Sequence, residues 1–209
     1  MSIRSRILNR LFGLLYGPLV FLHEPAGTCL FGPSWARRRD AIGRGMPSDG
    51  LVLDVGCGSG LLLSGLSERA NGAVGIDPSQ TMTRRGHARG CRVVQASAAS
   101  IPLANSAVSA VVCSYPGPWI RDQQVWSELD RVTVPGARIT ILLGGTVTRG
   151  RFSMVRSKLI ALLYGPEASS HRELKIEGFG HVRIPGRINC VDDEWGQSIL
   201  WSGVRADDS

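Results

Sequence analysis

A chain of 209 residues, 43% hydrophobic and 20% charged, has the balance of one domain with a well-filled core, and no repeat or low-complexity tract divides it. Its formal net charge is +7, yet of 24 lysines and arginines only Lys158 and Lys175 are lysines, and the rest are scattered. Without a basic tail, an aromatic-interleaved basic stripe or zinc-finger spacing, a nucleic-acid partner is disfavoured. Cys29, Cys57, Cys91, Cys113 and Cys190 include no CxxC pair, so neither a disulfide framework nor a metal site is indicated, and a cytoplasmic compartment is the expectation.

In chain order, RILNRLFGLLYGPLVFL (6–22) places Leu8, Leu11, Phe12 and Leu15 at helical spacing with Arg6, Asn9 and Arg10 opposite. An amphipathic helix capping the domain is predicted. Basic residues before an apolar run also have the outline of a signal sequence. The uncharged run Leu11–Leu22 is too short to span a bilayer and is broken by Gly17-Pro18, although the helix could dock on a membrane surface. WARRRD (35–40) is the densest basic cluster.

From Leu51 onward strand-like and helix-like segments alternate: strand 51–55, helix 61–70, strand 73–77, helix 79–88, strand 91–95, strand 109–115, helix 119–132 and strand 138–144. Such alternation predicts parallel strands joined by helical crossovers. A helix at 151–166 interrupts the pattern, 171–184 reads as helix, glycine stop and strand, and 194–205 reads as a last strand. Two consecutive strands at the end predict an antiparallel edge. The fold class expected is α/β, a Rossmann-like, doubly wound, mostly parallel seven-stranded sheet with an antiparallel edge strand, N-terminal helices and a helical insertion before the last two strands. One domain spans 1–209, with a helical cap (1–48), a cofactor-binding core (49–145) and an insertion plus C-terminal strands (146–209).

The stretch LVLDVGCGSGLLL (51–63) sets Gly56, Gly58 and Gly60 at alternate positions between strand and helix. One glycine serves a tight turn; three suit a ligand approaching backbone without Cβ in the way. The spacing is GxGxG rather than the dinucleotide GxGxxG, and no Walker lysine follows. Asp54 would repel a pyrophosphate but suits an ammonium group. Asp77 ends the next strand, where a carboxylate either caps the following helix or turn or accepts hydrogen bonds from a ribose diol. A ribose with a cationic amino-acid head and no phosphate describes S-adenosyl-L-methionine.

LDVGCGSG (53–60), GID (75–77), VVQASAASIPLANS (93–106), AVVCSY (110–115) and ELDRVTVPG (128–136), in that order, resemble the class I S-adenosylmethionine-dependent methyltransferases, of the small-molecule, quinone-biosynthesis-like type. The resemblance runs over residues 35–145. It implies that Asp54, Gly56, Cys57 and Gly58, with Gly60 beyond, hold the methionine moiety, and that Asp77 takes the ribose. It sets Pro78 and Met82 beside the adenine, Ser97 and Ala98 along its edge, and Ser114 and Tyr115 at the reaction centre. Ser97 and Ser109 stand where the family commonly has aspartates.

Methyl transfer needs in-line positioning and exclusion of water more than a nucleophilic residue. No catalytic residue is assigned; His23 and Tyr115 are the candidates, His23 ahead of His87, His171 and His181 as a general base. In SYPGPWI (114–120), Tyr115 and Trp119 either wall the acceptor or pack as core aromatics around a Pro-Gly turn. The apolar flanking helices point to a small lipophilic acceptor, such as a quinone precursor, polyketide or lipid. The alternatives are a binding or regulatory module that has lost catalysis, for which Ser97 and Ser109 speak, and a nicotinamide-dependent oxidoreductase, against which GxGxG and Asp54 speak. No feature fixes the oligomeric state.

Overall fold

Short valine- and isoleucine-rich runs form strands and the segments between them helices in the computed structural model, which describes residues 23–31, 37–39, 42, 46–47, 49–67, 72–147, 153–155, 158, 180–193 and 196–207. Strands β1 (Val52–Val55), β2 (Ala73–Asp77), β3 (Val93–Gln95), β4 (Val108–Ser114) and β5 (Thr133–Val147) are joined by β6 (Gly186–Asp193) and β7 (Gly196–Val204) in one sheet of order β3-β2-β1-β4-β5-β7-β6. The first five pair in parallel. The antiparallel strand is β7, one place in from the edge, paired with both β5 and β6. All four residues of β1 are buried, as expected of a strand covered on both faces.

Among the described residues, the helices whose bounds are defined are α1 (His23–Phe31), α2 (Leu61–Ser67), α3 (Gln80–Ala88) and α4 (Gln123–Val132). Ser79 caps α3 by accepting the Met82 N–H. Asp122 caps α4 by accepting from Gln124 N–H, which splits the predicted helix 119–132 into a 3-10 turn, Pro118–Arg121, and α4 proper. Leu62, Leu63 and Leu66 of α2 pack on one side of the sheet with Cys91 and Val93. Val125, Trp126, Leu129 and Val132 of α4 pack on the other with Ile139, Ile141 and Trp201. Trp126 is fully buried, donates from Nε1 to the Ile120 carbonyl at 2.8 Å, and meets Trp201 edge to face with centroids 4.9 Å apart.

The ELDR segment has a structural task. Glu128 accepts the Ile101 N–H at 2.6 Å, while Arg131 donates to the carbonyls of Ile101 and Leu103, both at 2.8 Å, and to Asn105. Together they pin the 101–105 loop to α4.

The C-terminal region departs from expectation. Residues 181–184 form a turn closed by a bridge between His181 and Ile184 rather than a strand, and the strand is 186–193. Ile184 is wholly buried while Val182 is 89% exposed, and Pro185 has no N–H to give a ladder. Of the helix predicted over 151–166, residues 153–155 and 158 are described, and all are helical. The helices predicted over 6–22 and at the start of 171–184 lie outside the described residues.

Candidate active site

Parallel strands running the same way bring the ends of β1, β2, β3 and β4 to one edge, and ligands of such sheets bind there. At that edge β1 ends at Val55, and the N–H groups of Gly56 and Cys57 both donate to the Ile76 carbonyl, at 2.8 and 3.0 Å. The chain then turns through Gly56, Gly58 and Gly60 with φ of 70°, 54° and 78°. All three lie in the left-handed region, where a side chain is strained. Their surroundings separate their tasks. A Cβ on Gly60 would stand 3.1 Å from Cys91 Sγ and 3.4 Å from the Gly86 backbone, so Gly60 lets α3 approach. A Cβ on Gly56 would stand 3.2 Å from the Trp119 ring, whereas one on Gly58 would meet nothing within 4 Å. Gly58 therefore faces open space.

Asp54 is 1% exposed, and neither carboxylate oxygen accepts a hydrogen bond among the described residues. Burial pushes its pKa up to about 7, against the opposing charge of Arg39 and reinforced by Asp77. A buried carboxylate with both oxygens bare has a deficit that a cationic ligand would fill. Asp77, also buried, is held by two backbone donors: Gly58 N–H to Oδ2 at 3.0 Å and Ser79 N–H to Oδ1 at 2.8 Å. Burial raises its pKa, and those two bonds pull against the rise. The turn role and the strand-end position thus coexist in Asp77, which also ties the glycine loop to β2. Burial pushes the Cys57 thiol well above its ordinary range, so it is no nucleophile.

Around this centre Pro78 and Ser97 are exposed, and Ala98, Ser114, Tyr115 and Trp119 are half-buried. Ser97 Oγ accepts the Ala99 N–H at 3.2 Å. Met82, 1% exposed, offers no open face to a ligand and belongs beneath the groove. Tyr115 follows β4 with φ of 53°, the strained conformation that clusters at functional sites. Beyond the Ser114–Leu142 pair β4 stops, but β5 continues against β7 as far as Val147 and Gly196. The β5–β7 ribbon therefore projects beyond the end of β4.

Several residues fall elsewhere. Ser109 lies at the opposite end of β4, donating to the Asp49 and Leu51 carbonyls at 3.2 Å, so its departure from aspartate does not touch the cofactor edge. His181 belongs to the turn bonded to the end of β7, where Val204 pairs with Arg138 near the start of β5; that is the far end of the sheet from the glycine loop. His87 is exposed on α3. His23 opens α1, and its side chain and all of His171 lie outside the described residues.

Two features escaped the sequence. From the WARRRD cluster, Arg38 and Arg39 are buried, at 3% and 9% exposure; Arg39 acts on Asp54, and Arg38 lies against Gly145 of the projecting ribbon. Glu24 reaches Ser59 inside the loop. An arginine run carries no local sign of which members turn inward.

The sheet order, the glycine loop at the end of β1 and the acidic residue at the end of β2 are those of a doubly wound α/β domain with its loop at the strand ends. Residues 53–141 match the family model described as Methyltransferase domain. No curated protein matches the chain. Among solved structures, a possible histamine N-methyltransferase from Thermotoga maritima is similar at 14% identity and TM-score 0.61, covering 92% of this chain and 98% of that one. A methyltransferase dependent on S-adenosylmethionine from Aquifex aeolicus gives 18% and 0.56, covering 91% and 98%. Geranyl diphosphate C-methyltransferase from Streptomyces coelicolor A3(2) gives 17% and 0.58, covering 83% and 79%. At these identities the likeness is one of fold. Over residues 53–141 the chain is similar to the methyltransferase domain model, and the fold around that stretch is shared with these methyltransferase structures.

Proposed function

We propose that this chain is an enzyme that binds S-adenosyl-L-methionine and transfers its methyl group to a small lipophilic molecule. The observation that carries the reading is the buried carboxylate of Asp54, which accepts no hydrogen bond among the described residues, at the strand end that leads into the open Gly58 loop, with Asp77 at the next strand end. Asp54 would receive the ammonium group, the glycine loop would admit the methionine chain, and Asp77 would accept the ribose hydroxyls. Pro78, Ser97 and Ala98 would border the adenine, and Gly60 and Met82 would hold the frame from below. When bound, the cofactor supplies an electrophilic methyl on a sulfonium. The protein's part is to align the acceptor and exclude water.

Tyr115 and Trp119 would form the acceptor wall, with the β5–β7 ribbon opposite. The six-membered ring of Trp119 lies close to Gly56, near enough to the loop to stabilise positive charge there if its face is presented. The apolar character of the predicted flanking segments supports a lipophilic acceptor. The structural neighbour named for geranyl diphosphate is one precedent in this fold. Among the described residues no helix is long and apolar enough to cross a membrane. Contact of the N-terminal segment with a membrane surface remains part of the proposal.

The test is calorimetric titration of the purified protein with S-adenosylhomocysteine and, separately, NADH, followed by methyl transfer from labelled cofactor to a panel of lipophilic phenols and prenyl compounds. Micromolar binding of the first ligand alone, lost in Asp77→Ala, is expected. Binding without transfer to any acceptor would favour a regulatory module; absence of binding by the folded protein would refute the cofactor reading.

A further inference from the structure

A loop with three left-handed glycines has more freedom to lose than one of ordinary residues, so contacts from outside must help hold its shape. On one side Asp77 does this through Gly58 N–H. On the other side stands a ring of contacts from two distant segments. Glu24, in the first turn of α1, accepts from Ser59 Oγ at 2.8 Å and from Arg89 Nη2 at 2.8 Å on the same oxygen, Oε1. Arg89 closes the ring by donating from Nη1 to the Ser59 carbonyl at 2.7 Å. Ser59 is 6% exposed, so both its side chain and its carbonyl are committed to this ring inside the protein.

The ring is itself anchored. Arg89 caps the C-terminus of α3, its backbone N–H returning to the carbonyls of Arg85 and Gly86. The side chains of Arg89 and Glu24 are 29% and 26% exposed, which places the pair in partial shelter from solvent. Charge-assisted bonds of this length are stronger than those of a fully solvated surface pair. Burial tends to raise the Glu24 pKa, but the bonds from Ser59 and Arg89 and the charges of Arg89 and Arg85 outweigh it, leaving the group lowered and ionised at neutral pH.

We propose that Glu24 is a positioning residue for the cofactor site, acting through Ser59 and Arg89 to hold the glycine loop in its ligand-accepting shape. The inference rests on the cofactor reading above. It makes α1 part of the binding machinery: through Glu24 it fixes the loop at Ser59, so the ligand need not order the loop on arrival. Without the clamp Ser59 loses both its side-chain and its carbonyl partner, the loop keeps its ties to Ile76 and Asp77, and part of the ordering free energy is drawn from binding.

The test measures two things in the full chain for wild type, Glu24→Ala, Glu24→Gln and Arg89→Met: the Kd for S-adenosylhomocysteine, and hydrogen exchange of backbone amides 58–64 without ligand. Glu24→Ala is expected to weaken binding about tenfold and to speed loop exchange by a similar factor, while amides of β1 and β2 keep wild-type protection. Glu24→Gln keeps an acceptor oxygen for Ser59 and should recover most of the affinity, to within about threefold of wild type. Glu24→Ala combined with Arg89→Met should cost no more than the worse single change. A lower melting temperature with unchanged Kd and unchanged loop exchange would overturn the proposal, leaving Glu24 as a tie for α1 alone. Failure of the wild type to bind S-adenosylhomocysteine would instead overturn the cofactor reading and, with it, the role of the clamp in binding.

Discussion

Replacing Asp54 with asparagine should make the ligand-free protein more stable at neutral pH while destroying its cofactor site. The carboxyl pKa stands at about 7 in the folded protein against an ordinary 3.8. An acid whose folded pKa is raised holds its proton more tightly when folded, so its ionisation opposes folding. The penalty is absent below pH 3.8, grows through the window between the two values, and is complete above pH about 7. A gap of about three pH units is worth on the order of 4 kcal/mol. The asparagine amide, equally buried and lacking partners among the described residues, gives back roughly 1–3 kcal/mol. The net expectation at pH 8 is a gain of about 1–3 kcal/mol over wild type, shrinking and reversing as the pH falls towards 4. Urea unfolding of both proteins across pH 4–8.5, with the slope against denaturant checked for constancy, measures the difference directly. Calorimetry should show no binding of S-adenosylhomocysteine by the variant. A stability difference that does not change with pH, or a variant less stable at pH 8, would refute the reading of Asp54 as a buried charge awaiting a cation.

The same carboxylate makes ligand affinity pH-dependent: below pH about 7 Asp54 must lose a proton to receive an ammonium group, so affinity for S-adenosylhomocysteine should fall up to about tenfold per unit of acidification and level off above it, as titrations at several pH values would show. Gly58→Ala and Gly60→Ala should separate binding from stability. Each costs about 1–2 kcal/mol in left-handed backbone strain, but only the second meets Cys91 and Gly86. Calorimetry should therefore find Gly58→Ala at least about tenfold weaker in binding with a modest loss of melting temperature, and thermal unfolding should find Gly60→Ala the less stable. Equal thermal losses would count against the assignment of these two glycines. Trp126→Phe keeps the burial but strands the Ile120 carbonyl, and should lower unfolding free energy by about 1–3 kcal/mol in urea. Arg131→Ala, which releases the 101–105 loop from α4, should cost about 2 kcal/mol and leave that loop the first site of limited proteolysis.

The alternation of apolar runs, the glycine spacing and the positions of Asp54 and Asp77 were legible because each is a local property. A strand running into a glycine turn and a helix is encoded within a dozen residues, and parallel pairing then forces the strand ends to one edge. Strand 73–77 follows from the same short-range chemistry, whereas the helix cap falls on Ser79 rather than on Asp77, where one reading of the sequence put it. Misplacement of the strand at 181–184 has a local cause too: Pro185 and the inward turn of Ile184 override a sequence that alternates like a strand. What tertiary structure alone decided is how distant groups meet. Ser59 and Glu24 lie 35 residues apart and Arg89 and Glu24 lie 65 apart, separations at which no periodicity carries information. Arg38 and Arg39 look like solvated neighbours in WARRRD, and only packing sends both into the interior. Ser109 looks like a lost cofactor contact until the strand direction places it at the far end of β4. The sequence determined that a ligand loop exists and what charge it faces; the fold decided which residues hold it and which carboxylate is left bare, because burial and charge pairing depend on the whole chain's arrangement.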